Sequence, residues 1–135
     1  MAEPKMTERP LSPHLQIYRW PLPMLMSILH RLTGGALYFG TLLMAWWLTA
    51  AGSGPNAYGK VAGFVDSFFG RFILFGYTWA LMHHMLGGIR HLIWDMGRGF
   101  SLQEREALSL ATAVGSVILT VLIWILGLLF MGGPR

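Results

Sequence analysis

The stretch Leu32–Gly59, LTGGALYFGTLLMAWWLTAAGSGPNAYG, is 28 residues long and contains no charged side chain. Two further stretches read the same way. FILFGYTWALMHHMLGGI, residues 72–89, has 18 uncharged residues, and ALSLATAVGSVILTVLIWILGLLFMGGP, residues 107–134, has another 28. About 20 mostly apolar residues suffice to cross a bilayer as a helix. Three such windows in a chain of 135 residues leave little for anything else. Hydrophobic residues make up 54% of the chain and charged residues 12%, about half the share of a soluble domain. A soluble enzyme, a nucleic-acid binder and a disordered chain are therefore excluded. The net charge of +4 belongs to basic loops beside a membrane rather than to a phosphate-binding face. The chain has no cysteine, so it offers no disulfide, thiolate or cysteine-ligated cluster.

The expected fold is an all-α membrane protein with three transmembrane helices in a single anchor domain. The spans are placed at about 27–51, 69–93 and 107–131, behind an amino-terminal segment, 1–26. Each span is helical because a segment in lipid must satisfy its own backbone hydrogen bonds. The cluster AGSGPN, 51–56, ends the first span. A short interfacial helix is expected over Lys60–Phe69, and 96–106 forms the second loop. Gly132, Gly133 and Pro134 stop the third span. No cleaved signal or transit peptide is expected. The amino-terminal segment and second loop carry Lys5, Arg9, Arg19, Arg31, Arg90, Arg98 and Arg105. The other side carries Lys60, Arg71 and Arg135. Seven basic residues against three put the amino terminus in the cytoplasm and the carboxyl terminus outside.

Polar groups inside a span are costly and mark function. The second span holds His83 and His84 and ends with Arg90 and His91. His84 lies about six residues, or roughly 9 Å, deeper than Arg90. His84 and His91 are seven apart and share a helix face. Gly76, Ala80, His84 and Gly88 form a stripe with spacing four, against which a flat porphyrin could lie while His84 reaches the iron. The plainer account is a small-residue packing stripe with a histidine hydrogen-bonded to a neighbouring helix. His83 points about 100° away and reads as a packing residue. Ser27, His30 and Arg31 begin the first span at the level of Arg90 and His91. Arg31, Arg90 and His30 are suitable partners for haem propionates, or a basic cluster that only anchors the helix. Ser27 fits a helix N-cap on spacing alone, and its hydroxyl could also hold a carbonyl headgroup. One deep histidine leaves a six-coordinate haem in need of a second ligand from a partner subunit.

The segment RPLSPHLQIYRWPLPMLMSILHRLTGG, Arg9–Gly35, and the segment HHMLGGIRHLIWDMG, His83–Gly97, resemble the cytochrome b membrane-anchor subunits (C subunits) of succinate dehydrogenase, respiratory complex II. The blocks that carry the resemblance are SxxHRxTG, Ser27–Gly34, and HxxxGIRHxxxDxG, His84–Gly97. The third span and first loop agree only in hydropathy. The resemblance implies that His84 is the axial ligand of a haem b iron, with the other ligand supplied by a D subunit. It implies that His30, Arg31 and His91 surround the propionates. It implies that Ser27 and Arg31 contribute to a ubiquinone pocket shared with the D and iron–sulfur subunits, and that Asp95 is the motif aspartate on the cytoplasmic side. The fold would be half of a heterodimeric haem-binding bundle in a bacterial inner membrane. Without flavin or cluster motifs, this chain would not oxidise succinate itself. Electrons would arrive from a flavoprotein subunit through the iron–sulfur subunit. Two alternatives stand beside this reading: the anchor of a quinol:fumarate reductase, and a cofactor-free structural or transport subunit.

Overall fold

The computed structural model describes residues 9–17 and 19–131; Lys5, Gly132, Gly133, Pro134 and Arg135 lie outside the described residues. The described residues are all helix and connecting turn. α1 is a single turn, His14–Ile17. α2 runs over Leu22–Ser53, α3 over Pro55–Asp66, α4 over Phe68–Asp95 and α5 over Leu102–Met131. α4 is the middle helix: it packs against both α2 and α5, and α3 fills the corner between α2 and α4.

Every long helix begins before its apolar window because its start is set by local chemistry. α2 begins behind Pro21, with Pro23 in its first turn. Proline suits that turn because its missing N–H would have no helical partner there. Ser27 therefore sits inside α2 rather than at its N-cap, which corrects the expectation drawn from spacing. The corner between α2 and α3 is one residue, Gly54, at φ +108°, a conformation side chains rarely adopt. The interfacial helix thus starts at Pro55 rather than Lys60. Ser67 caps α4 by accepting from the Gly70 amide at 3.0 Å, while its hydroxyl donates to the Phe64 carbonyl at 2.6 Å. A Cβ at Gly70 would collide with that carbonyl. α5 opens with a reciprocal cap: the Ser101 hydroxyl donates to Glu104 Oε2 at 2.7 Å, and the Glu104 amide donates to Ser101 Oγ at 3.3 Å. The second loop is accordingly shorter than 96–106.

The side-chain distribution is inverted relative to a water-soluble bundle. Among the described residues the fully buried apolar side chains are Met26, Ala50, Val61 and Ala80. The fully buried polar ones are Thr33, His83, Arg90, Ser109, Thr112, Ser116 and Thr120. Large apolar side chains such as Tyr38, Phe39, Leu42, Phe72, Ile118 and Leu129 face outward. Such continuous apolar surface requires lipid or partner helices to cover it. Among the described residues one helix, α5, is long and apolar enough to cross a membrane by length and composition. Only 11% of its most apolar window is buried, whereas a soluble core helix would be mostly buried. α2 and α4 have 32 and 28 residues, enough length to span, but their tryptophans, tyrosines, glycines and histidines make them less apolar.

Candidate functional site

His83 and His84 leave α4 toward different neighbours. His83 faces α5, is 1% exposed, and its Nδ1 lies 3.4 Å from Ser116 Oγ. His84 faces α2, and its Nδ1 lies 3.1 Å from the backbone carbonyl of His30. A carbonyl only accepts, so Nδ1 is the protonated nitrogen and donates. In this tautomer the ring's lone pair is on Nε2. That is the arrangement of a metal-ligating histidine: one nitrogen tied to an acceptor, the other free for the metal.

The His30 and His84 rings stack, with centroids 4.0 Å apart and planes within 5°. Two glycines allow this. A Cβ at Gly34 of α2 would lie 3.0 Å from His84 Cε1, and a Cβ at Gly87 of α4 would collide with the His30 ring. Each helix thus presents a glycine to the other helix's histidine. Gly34 closes the first motif block, whereas Gly87 falls at a variable position of the second, and neither carried an assigned role. The His30 carbonyl also accepts from the buried Thr33 hydroxyl at 3.0 Å. His91, exposed at the end of the face it shares with His84, lies 5.4 Å from the His30 ring and packs edge-on against Trp94 at 5.1 Å.

Arg31 is exposed one residue after His30, and Ser27 is half-buried one turn before it on the same face. Neither makes a hydrogen bond or ion pair among the described residues. Arg90 is placed differently from the sequence expectation. It is buried on the α5 side, 2% exposed, rather than open at the membrane surface. Its Nη1 donates to Ser109 Oγ at 3.4 Å, its guanidinium lies 5.2 Å over Trp94, and its Nε has no partner among the described residues. Asp95 is exposed at the end of α4. The loop beyond it is closed by Trp94 Nε1 donating to the Gly99 carbonyl at 3.1 Å. The small-residue stripe is not one packed surface. Ala80 is buried, whereas Gly76 and Gly88 face open space.

The site therefore gathers His84, His30 and His91 at one end of the α2–α4 interface, with Ser27 and Arg31 on the adjoining turn. The described residues bring no group of three or more His, Cys, Asp or Glu together as a metal cage. A single oriented imidazole with open glycine surface beside it fits haem iron.

Comparison with known proteins agrees with this geometry. The family described as "Succinate dehydrogenase/Fumarate reductase transmembrane subunit" matches residues 5–123. The succinate dehydrogenase cytochrome b556 subunit of Paracoccus denitrificans is 45% identical over 130 residues, covering 96% of this chain and 100% of that protein. The cytochrome b556 subunit of Rickettsia conorii is 39% identical over 118 residues, covering 87% of this chain and 92% of that protein. The mitochondrial cytochrome b560 subunit of Sus scrofa is 41% identical over 121 residues, covering 86% and 68%. The match runs through both histidine-bearing helices and most of α5: the chain belongs to the family of succinate dehydrogenase and fumarate reductase transmembrane subunits.

Proposed function

We propose that this chain is the membrane-anchoring, haem b-binding subunit of a succinate:ubiquinone oxidoreductase. The single observation that carries the reading is the hydrogen bond from His84 Nδ1 to the His30 carbonyl, 3.1 Å, which leaves Nε2 as the ligating nitrogen. α2, α4 and α5 cross a bacterial inner membrane as three spans, with the His84 end toward the cytoplasm. The inverted side-chain distribution supports this, because the outward apolar surface is matched to lipid and to a second membrane subunit. That D subunit supplies the other iron ligand. The iron–sulfur and flavoprotein subunits dock on the cytoplasmic side.

When bound, haem b supplies a one-electron carrier beside the quinone. The chain's own residues orient and neutralise. His84 is held in one tautomer by the His30 carbonyl. His30, His91 and Arg31 offer donors and positive charge to propionates at the membrane surface. The Ser27 hydroxyl is free to donate to a quinone carbonyl, and Arg31 balances the negative charge that reduction adds to the headgroup. Ser27 and Arg31 are one helical turn apart, so both reach one ligand. Two measurements test the reading. The purified complex should show a b-type reduced-minus-oxidised spectrum. Ser27→Ala and Arg31→Leu should each lower succinate–quinone activity by roughly a hundredfold, the typical loss of one donor aimed at developing charge. Succinate oxidation by a dye that draws electrons from the soluble subunits should persist. A complex without haem, or equal loss of both activities, would overturn it.

A further inference from the structure

One face of α2, running from beside the histidine cluster toward α3, carries a two-part groove. The first part, about 480 Å³, lies between α2 and α4 and is lined by apolar side chains including Ala36, Phe39, Leu43, Phe64 and Phe72. The second, about 230 Å³, lies where α2 meets α3 and is lined by Trp46, Thr49, Ser53 and Lys60. Ala36, Phe39, Leu43, Trp46, Ala50 and Ser53 recur every three or four residues, so the two parts lie on one face of α2. They meet at Trp46 and Phe64, whose rings are 5.5 Å apart.

We propose that this groove is a binding site for one anionic phospholipid, with an acyl chain in the apolar part and the phosphate at Lys60. Three observations carry the assignment. From Ala36 to Trp46 is ten residues, roughly 15 Å of helix, which equals one leaflet of a hydrocarbon core about 30 Å thick. Trp46 then falls at the level where tryptophan marks the membrane interface. Beyond it the groove becomes polar, and among the described residues Lys60 is the only charged one lining it. The hydroxyls of Thr49 and Ser53 donate to carbonyls of their own helix at 2.8 and 2.6 Å, which leaves the lysine as the group that recognises an anion. Lys60 is exposed and makes no ion pair among the described residues.

The test uses the whole delipidated complex, mixed with vesicles of either dioleoylphosphatidylglycerol or dioleoylphosphatidylcholine and read by native mass spectrometry. Wild type should retain phosphatidylglycerol in preference to phosphatidylcholine. Lys60→Ala should lower phosphatidylglycerol retention about fivefold, the worth of one basic residue at a membrane surface, and leave phosphatidylcholine unchanged. Ala36→Trp should block both lipids by filling the apolar groove. Dye-linked activity should be unchanged in both variants, and haem absorbance should be unchanged in Lys60→Ala, which separates lipid loss from misassembly. A photoreactive residue at Leu43 in an otherwise unaltered chain should cross-link lipid. Equal retention of the two lipids, no effect of Lys60→Ala, or capture of a protein subunit at Leu43 would overturn the proposal.

Discussion

Replacing Gly87 by alanine puts a methyl group where the His30 ring now sits. Its Cβ would lie 3.0 Å from His30 Cε1 and 3.2 Å from Cγ, and closer still to Nδ1. Carbon contacts are comfortable at about 3.5–4.0 Å, so His30 must recede from α4 by up to roughly 1 Å. Gly87 and His84 stand on the same helix. The displacement therefore also lifts His30 off the His84 ring, now 4.0 Å away, and strains the 3.1 Å bond that fixes the His84 tautomer. Overpacking of this kind costs about 1–3 kcal/mol. The helix-propensity gain of glycine to alanine, about 1 kcal/mol, has the opposite sign, so a loss would be steric in origin. Disturbing the group that orients a metal-bound histidine typically costs 10–100-fold in affinity. Gly87→Ala should accordingly weaken haem retention about tenfold or more, measured as haem loss from the purified complex to excess apomyoglobin. His30→Ala removes the ring that the methyl strikes, so the double variant should lose less than the product of the two single effects, a coupling of about 0.5–3 kcal/mol. Wild-type haem retention in Gly87→Ala, or strictly multiplicative losses in the double variant, would refute the reasoning.

Three further outcomes are expected. His84→Ala should abolish the low-spin haem spectrum while His83→Ala, on the α5 side, should leave it in place; a spectral change from the second variant alone would reverse the ligand assignment. Cysteine labels at Ser101 and Gly59 should report opposite membrane faces, and equal accessibility from the periplasm would contradict the orientation. The hydrogen bonds from the Ser101 side chain, and then from its backbone, hold the Glu104 carboxyl below its usual range. A lowered carboxylate stabilises the fold above its unfolded value and ceases to do so as pH falls through the folded one. Protection from hydrogen exchange at the start of α5, taken relative to the intrinsic rate at each pH, should therefore fall in acid in wild type, and Glu104→Gln should flatten that dependence.

The charge-free windows made the three long helices α2, α4 and α5 legible, of which α5 is long and apolar enough to cross a membrane. Their ends were less so. Pro21 and the Ser101–Glu104 cap lie outside the windows, and there local backbone chemistry, not hydropathy, decides where a helix starts. Within the site, the seven-residue step from His84 to His91 correctly put the two on one face. The same arithmetic was available for Arg90, which is seven residues from His83 and so shares its α5 side. Reading Arg90 by depth alone placed it with Arg31. Gly34 and Gly87 were not legible as site residues. Whether a glycine faces a histidine across a helix pair depends on the partner helix's register, which no single segment encodes.

The one-residue corner at Gly54 leaves little slack between the helices that carry the site. From Leu22 to Asp95 the chain is helical except at Gly54 and Ser67. A residue inserted into α3 has no loop to absorb it. It would turn the end of that helix by about 100° and advance it by about 1.5 Å. The displacement would pass straight into α4 and alter the depth of His84 relative to His30. Length variation should therefore be poorly tolerated across this segment even far from the imidazoles. An epitope tag or a fused reporter belongs before α2 rather than in the turn between α2 and α3.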